Sequence, residues 1–277
     1  MAHLPHLRQQ QHYQSGQSFC GDFILRTGSL RTGSIHIHRT LMLVVLTAVL
    51  TTMLATAICA QAQQSLKAHV QLTRSGHPLR NASKAVVWLT PIGTTVEPPQ
   101  QDPSQIPQLV QKDKSFQPSL LVIPVGGKVE FPNHDPFFHN VFSLFEGKRF
   151  DLGLYESGTT RFVQFDKPGV SFIFCNIHAQ MSAVVIALAT PYYAISDWRG
   201  DVTIPDVPPG RYQLQVFHSS VASDALRALS REITVAPGDT SLGAFTLSVS
   251  DVTVAHKNKY GHDYDRPDPD SPAYARP

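Results

Sequence analysis

Residues 159–188, TTRFVQFDKPGVSFIFCNIHAQMSAVVIAL, decide the fold class of this chain. Apolar and polar residues alternate on both sides of an Asp-Lys-Pro-Gly turn, which is the pattern of two short β-strands. The second of these strands leads into Cys175, and the apolar segment SAVVIAL forms another strand a few residues later. The stretch therefore predicts adjacent strands whose connecting loop, CNIHAQM, holds a cysteine, a histidine and a methionine at one end of a sheet.

The chain has the same character from about residue 66 onwards. LKAHVQLT alternates, RSGHPLRNAS contains turn residues, KAVVWLTP has the pattern of a buried strand, and SLLVIPVGGKVEFPN holds two strands around a Gly-Gly pair. The 21 prolines and the charged fraction of 16% also favour strands and loops over a helical bundle. We predict an all-β protein, a β-sandwich of short antiparallel strands, with one short helix over Ala222–Leu229.

Residues 1–62 have the features of an N-terminal extension that ends in a secretory signal. A basic flank precedes an apolar run over residues 41–58, and Ala60 and Ala62 have the spacing that signal peptidase recognises. We expect cleavage near Gln63, a periplasmic or secreted protein, and no membrane span after cleavage. An uncleaved anchor is the alternative, because the run is about long enough to cross a bilayer.

Removal of the signal changes the cysteine content. Cys20 and Cys59 leave with it, so Cys175 remains as a single thiol that has no partner for an internal disulfide. In an oxidising compartment such a thiol is expected to be buried or to hold a metal. Four of the 23 basic residues but only one of the 21 acidic residues lie in residues 1–62, so the remainder is close to neutral and a nucleic-acid partner is not expected.

The candidate metal ligands come from two segments. Cys175, His178 and Met181 lie three residues apart in one loop, and FPNHDPFFHNVFS supplies His139, 36 residues before the cysteine. Two imidazoles, a thiolate and a thioether form a soft site of the kind that binds copper for electron transfer. His134 is the rival of His139 but lies in the middle of the loop beside polar residues. Met181 has the alternative role of core filling.

At these residues the chain resembles the blue-copper, or cupredoxin, family, and its short CxxHxxM loop looks most like that of amicyanin. VGGKVEFPNHDPFFHNV is similar to the family's upstream ligand segment, and the resemblance covers roughly residues 84–190. It implies a Greek-key sandwich with one type 1 copper ion. His139, Cys175 and His178 would be its equatorial ligands, and Met181 would be its axial ligand.

The resemblance also implies a second layer of contacts around the ligands. Asn140, which follows the first histidine, would donate its backbone N–H to the thiolate, and its side chain would tie the two ligand loops together. The loops of amicyanin and plastocyanin carry proline just before the second histidine, where this chain has Ile177. The sequence therefore predicts one additional backbone N–H near the sulfur.

The segment TPYYAISDWRGDVTIPDVPPGRYQLQVFH resembles the carboxypeptidase-regulatory-like module, a small β-sandwich of the transthyretin or immunoglobulin type. That likeness implies an accessory or interaction module rather than an activity. The strands before residue 94 share its character, and the sequence leaves open which sandwich they join. We predict an extension at 1–62, strands of open assignment at 63–93, a copper domain at 94–190, the second module at 191–250 and a disordered tail at 251–277.

These observations predict a single-copper protein that carries one electron between redox partner proteins and is not an enzyme. Phe174 and Asn176 flank the cysteine, where a multicopper enzyme would need histidines that reach a second centre. Resemblance to the periplasmic proteins of methylamine utilisation suggests a dehydrogenase and a c-type cytochrome as partners. The alternatives are copper storage, delivery or sensing without electron transfer, and a metal-free β-sandwich that serves as an interaction module.

Overall fold

A computed structural model of the chain describes residues 42–47, 64–144, 147–249 and 257–264. The chain divides into two compact units, Met1–Ala60 and Gln61–Pro277. In the first unit, residues 42–47 form a helix, α1, and the rest of the predicted signal, with its cleavage site, lies outside the described residues. No helix in the described ranges has the length and apolar character needed to cross a bilayer.

The second unit contains two β-sandwiches, one inserted into the other. The flanking sandwich is formed by the strands on either side of the insertion. Its elements are β1 (Gln64–Arg74), β2 (His77–Pro78), β3 (Val86–Pro91), β13 (Tyr193–Ile195), β14 (Asp201–Val207), β15 (Gly210–Phe217), the helix α2 (Ser223–Leu229), β16 (Arg231–Val235) and β17 (Ser241–Ser248). One sheet has the order β14-β1-β17, with β2 paired to β1, and the other has the order β13-β3-β15-β16.

Strand pairing shows which of the two sandwiches contains the early strands, a question that the sequence left open. β1 runs antiparallel to β14 and parallel to β17, and β3 lies between β13 and β15. Alternate residues of β1 from Leu66 to Leu72 are buried, as expected of a strand with one face on a core. Residues 64–91 therefore complete the flanking sandwich, and the second module is not a contiguous segment of the chain.

The inserted sandwich contains the candidate metal ligands. Its strands are β4 (Val110–Lys112), β5 (Ser115–Gln117), β6 (Leu120–Pro124), β7 (Lys128–Pro132), β8 (His139–Ser143), β9 (Phe150–Tyr155), β10 (Thr160–Gln164), β11 (Gly169–Phe174) and β12 (Ser182–Leu188). A five-stranded sheet has the order β6-β12-β11-β8-β9, β10 pairs with β7, and β4 and β5 form a hairpin. Its core includes Val129, Phe131, Val141, Ile173 and Val185.

The two sandwiches meet through an apolar contact between sheet faces. Val86 and Trp88 of β3 and Phe217 of β15 pack with β12, and the Phe217 ring lies 6.0 Å from that of Phe172 in β11. The strand β12 therefore lies between two cores, which explains why SAVVIAL is apolar throughout instead of alternating. Its residues divide between the core of the inserted sandwich (Ala183, Val185, Ala187) and the junction (Val184, Ile186, Leu188).

The predicted fold class is confirmed, because the described residues are mostly strands arranged in β-sandwiches. The short helix that the sequence predicts over Ala222–Leu229 is α2. The tail differs from its prediction: residues 257–264 form a turn that is hydrogen-bonded to the inserted sandwich, although disorder was expected over 251–277.

Candidate metal centre

The candidate ligands lie at one end of the five-stranded sheet of the inserted sandwich. β8 begins with His139, and β11 ends one residue before Cys175. The two strands are antiparallel neighbours, paired at Phe174 and Phe142, so the start of one lies beside the end of the other. The pairing of β11 with β12 closes the loop that carries His178 and Met181.

Three donor atoms converge on one point. The Nδ1 atom of His139 lies 3.7 Å from Sγ of Cys175, and the Nδ1 atom of His178 lies 3.8 Å from the same sulfur. The three donor atoms all lie within 4.8 Å of one another. His139 and Cys175 are fully buried, and His178 is only 5% exposed. The three side chains form a buried group that can bind a metal ion.

Aromatic and aliphatic side chains cover this group. The Phe137 ring lies 5.2 Å from the ring of His139 and 5.6 Å from that of His178. Phe138 is 56% exposed and Ile177 is 36% exposed, so both present apolar surface to solvent next to the buried histidines. The Phe137 ring thus packs beside both histidine rings, and its apolar surface lowers the local polarity around the donor atoms.

Asp135 orients the first histidine. Its Oδ2 atom lies 2.7 Å from Nε2 of His139, and its carboxylate also accepts the backbone N–H groups of Asp113 at 2.7 Å and Lys114 at 3.0 Å. Burial raises the pKa of Asp135, but the hydrogen bonds from His139, Lys114 and Asp113 outweigh burial and hold this pKa below its usual value. The ionised carboxylate is therefore fixed in place on the ring nitrogen that does not face the cysteine.

Both histidines are neutral at neutral pH. Burial lowers the pKa of His139 below its ordinary value, in spite of the hydrogen bond with Asp135. Burial lowers the pKa of His178 to about 4, and repulsion from His139 and Lys114 lowers it further. Neutral imidazole is the form that binds a metal ion, so the fold prepares both rings for ligation.

The sulfur of Cys175 accepts a hydrogen bond from within its own loop. The N–H of Ile177 points at Sγ with a nitrogen–sulfur distance of 3.4 Å, so the additional donor that the sequence predicts is confirmed. Asn140 was expected to donate its backbone N–H to the thiolate, but among the described residues the hydrogen bond to Sγ comes from Ile177. The Asn140 side chain instead donates to Oδ1 of Asp151 at 2.7 Å.

Met181 lies at the base of the loop. Its N–H donates to the carbonyl of His178 at 3.0 Å, and its carbonyl accepts the N–H of Cys175 at 3.3 Å. The side chain is fully buried in the same core as Cys175. Its axial role stays a prediction, and so does the alternative of core filling.

His134 is not part of the group. Its side chain is exposed, and its backbone N–H donates to the carbonyl of Gln111 at 2.8 Å. Of the two histidines that the sequence offered in this segment, His139 is therefore the one that faces Cys175.

Comparison with known proteins adds solved structures of similar folds. A scan against protein-family models gives no match, and a search of curated proteins finds no relative. Among solved structures, the copper-containing nitrite reductase of Thermus scotoductus SA-01 is 24% identical over 36% of this chain, with a TM-score of 0.30. The purple cupredoxin of Nitrosopumilus maritimus is 24% identical over 30% of this chain and 99% of its own, with a TM-score of 0.27.

A copper(I) form of amicyanin is 13% identical over 37% of this chain and 98% of its own, with a TM-score of 0.29. The matched part spans about a quarter of the nitrite reductase, namely 26% of that chain. All three TM-scores lie below 0.5.

Proposed function

We propose that the inserted sandwich binds a single type 1 copper ion and serves electron transfer, with His139, Cys175 and His178 as equatorial ligands and Met181 as axial ligand. One observation carries the proposal: the Nδ1 atoms of both histidines face Sγ of Cys175 at 3.7 and 3.8 Å inside a buried pocket. His139 begins β8, Cys175 follows the end of β11, and His178 lies in the loop between β11 and β12. The fold therefore brings the three donors together.

The spacing of the donor atoms fits a trigonal metal site. Metal–sulfur and metal–nitrogen bonds of about 2.3 and 2.0 Å at an angle of about 120° place sulfur and nitrogen roughly 3.7 Å apart. The distances of 3.7 and 3.8 Å in this structure agree with that value. Two imidazoles, one thiolate and a nearby thioether are the donor set that favours copper, whereas zinc sites seldom use methionine.

When bound, copper supplies a one-electron couple between Cu(II) and Cu(I). The residues of this chain contribute the rest. Asp135 holds the His139 ring, the Ile177 N–H stabilises negative charge on the sulfur, and burial keeps water from the donor atoms. Because strand ends and a hydrogen-bonded loop hold the donors, little rearrangement would accompany a change in the oxidation state of bound copper.

We assign the inserted sandwich to the amicyanin-like and plastocyanin-like cupredoxins and place the protein in the periplasm or outside the cell. It would be a carrier and not an enzyme, exchanging electrons with a periplasmic dehydrogenase and a c-type cytochrome. Phe138 and Ile177 precede His139 and His178 in the sequence and are exposed, which supports an approach of such partners to this end of the sandwich.

A pair of histidine variants tests the proposal. The chain loaded with copper should hold one ion and show a reversible one-electron couple by voltammetry. His139→Ala should lose both, whereas the matched control His134→Ala should retain both, because only His139 faces Cys175. Stoichiometric copper without a reversible couple would instead support storage, delivery or sensing. Absence of stoichiometric copper would overturn the proposal.

A further inference from the structure

The C-terminal residues 257–264, here called the tail turn, contact the loop that carries the cysteine. The hydroxyl of Tyr264 donates to the backbone carbonyl of Cys175 at 2.7 Å. The backbone N–H of Lys259 donates to Oδ1 of Asn176 at 2.9 Å. Two consecutive residues of the loop are therefore held by a segment that follows the last strand of the flanking sandwich.

A second contact connects the tail turn to the other ligand segment. The Nζ atom of Lys259 lies 2.7 Å from Oδ2 of Asp151, and Oδ1 of the same carboxylate accepts the Asn140 side chain at 2.7 Å. Asn140 follows His139 in β8. The chain of contacts from Asn140 through Asp151 and Lys259 to Asn176 thus links the two segments that supply the metal ligands.

The tail turn has internal hydrogen bonds that fix its shape. The side chain of Asn258 accepts the N–H groups of Tyr260 and His262, both at 3.0 Å, and its backbone N–H donates to the carbonyl of His262 at 2.9 Å. Gly261 adopts a φ of 80°, which glycine tolerates without strain. The turn therefore presents Lys259 and Tyr264 to the metal loop from a preformed scaffold.

The surroundings favour persistent contacts. Tyr264 is half-buried, and burial raises its pKa above the usual value, with a further contribution from the nearby Cys175. Its hydroxyl therefore remains a proton donor across the physiological range. The hydrogen bond with Asp151 raises the pKa of Lys259, so this side chain stays charged opposite the carboxylate.

We propose that the tail turn is a positioning element for the metal loop, in which Tyr264 and Lys259 fix the backbone at Cys175 and Asn176. The carbonyl of Cys175 belongs to the peptide plane that leads into Asn176, and the next N–H, that of Ile177, donates to Sγ. Holding this plane keeps the sulfur directed at the two histidines and hinders solutes from reaching it. The effect on copper rests on the proposed function, but the effect on the metal-free thiol does not.

The first test uses the metal-free full chain and measures the rate at which an alkylating reagent modifies Cys175, followed on its own peptide by mass spectrometry. Tyr264→Phe removes only the hydroxyl, and a chain that ends at residue 256 removes the whole tail turn. Because Tyr264→Phe loses one hydrogen bond, we expect this variant to be modified about five- to tenfold faster than the wild type. The shortened chain, which loses the whole tail turn, should show a larger increase in rate. Tyr193→Phe, a partly buried tyrosine of the flanking sandwich, is the matched control and should leave the rate unchanged.

The second measurement uses the copper-loaded chain and records the sulfur-to-copper band and the rate of copper loss to a chelator. Tyr264→Phe should shift the band and accelerate the loss of copper about five- to tenfold. If the melting temperature of this variant is unchanged, these changes are not caused by a general loss of stability. If the chain binds no copper but Tyr264→Phe still accelerates alkylation, the proposed function fails and the positioning role stands. Equal alkylation rates in the wild-type chain, Tyr264→Phe and the shortened chain would overturn the positioning role.

Discussion

Asp135 and His139 form a buried pair in which Oδ2 of the carboxylate lies 2.7 Å from Nε2 of the imidazole. Because an ionised carboxylate can only accept, Nε2 carries the ring proton and the lone pair resides on Nδ1. Nδ1 is the atom that lies 3.7 Å from Sγ of Cys175. The pair therefore selects the tautomer that can bind a metal and fixes the plane of the ring.

Asp135→Asn should weaken copper binding. The amide lacks the charge that polarises the imidazole and retains a single oxygen for three N–H groups, so we expect affinity to fall by about 10- to 100-fold. Competition titration with a chelator of known affinity measures the change. Asp113→Asn removes the same charge from an exposed side chain of the neighbouring turn and should bind copper as the wild type does. Equal affinity of the two variants would contradict the orienting role.

Ile177→Pro should lower the reduction potential. Proline removes the N–H that lies 3.4 Å from Sγ, and this hydrogen bond stabilises the more electron-rich reduced state. A loss of about 1 kcal/mol corresponds to roughly 40 mV for one electron. Ile177→Val keeps the N–H and serves as the control in the same voltammetric experiment. A potential that is the same in both variants would show that this donor does not tune the site.

Met181→Gln distinguishes an axial ligand from a core residue. If the thioether is axial, the harder oxygen ligand favours Cu(II), so copper stays bound and the potential falls. If Met181 only fills the core, Met181→Ala should destabilise the fold by about 2 to 5 kcal/mol, and the Gln variant should leave the potential unchanged. The potential of the Gln variant is compared with the melting temperature of its metal-free form. An unchanged potential together with a lower melting temperature would reduce the proposed site to three ligands.

The metal-free protein should lose stability as the pH falls from 6.5 to about 4. The folded state holds the pKa of His178 at about 4, whereas the unfolded chain takes up this proton near 6.5, so the unfolded state binds more protons within that window. The stabilisation is complete above pH 6.5 and is lost as the pH falls through about 4, by up to about 3 kcal/mol. Denaturant unfolding at several pH values measures it. His178→Gln cannot titrate, and a slope as steep as that of the wild type would refute this assignment.

The fold class and the loop that carries Cys175 and His178 could be predicted from sequence because both depend on local patterns. Alternation over residues 159–174 specifies strands, and the spacing of Cys175 and His178 places both on one short loop. The assignment of residues 64–91 could not be predicted, because β1 and β3 pair with strands more than a hundred residues away. The all-apolar pattern of β12 likewise has its cause in the second core at the junction.

The surroundings of the site were less accessible to sequence reasoning. Asp135 precedes His139 by four residues, but the backbone N–H groups that fix it come from the β4–β5 turn. Tyr264 lies 89 residues from Cys175, in a segment whose composition indicates disorder, and contacts of this kind leave no periodic signal in the sequence. The candidate ligands could be proposed from residue types and spacing, whereas the groups that contact them are brought there by tertiary contacts.

The most direct test of the central claim is titration of the purified chain with Cu(II), recorded by visible and electron spin resonance spectroscopy, beside the Cys175→Ser variant. Sγ of Cys175 is the sulfur that both Nδ1 atoms face, so one equivalent of Cu(II) should produce an intense sulfur-to-copper charge-transfer band in the wild type. Cys175→Ser should remain folded by circular dichroism and lack the band. A band that persists in Cys175→Ser, or a wild-type chain that takes up no stoichiometric copper, would contradict the assignment of a type 1 copper site.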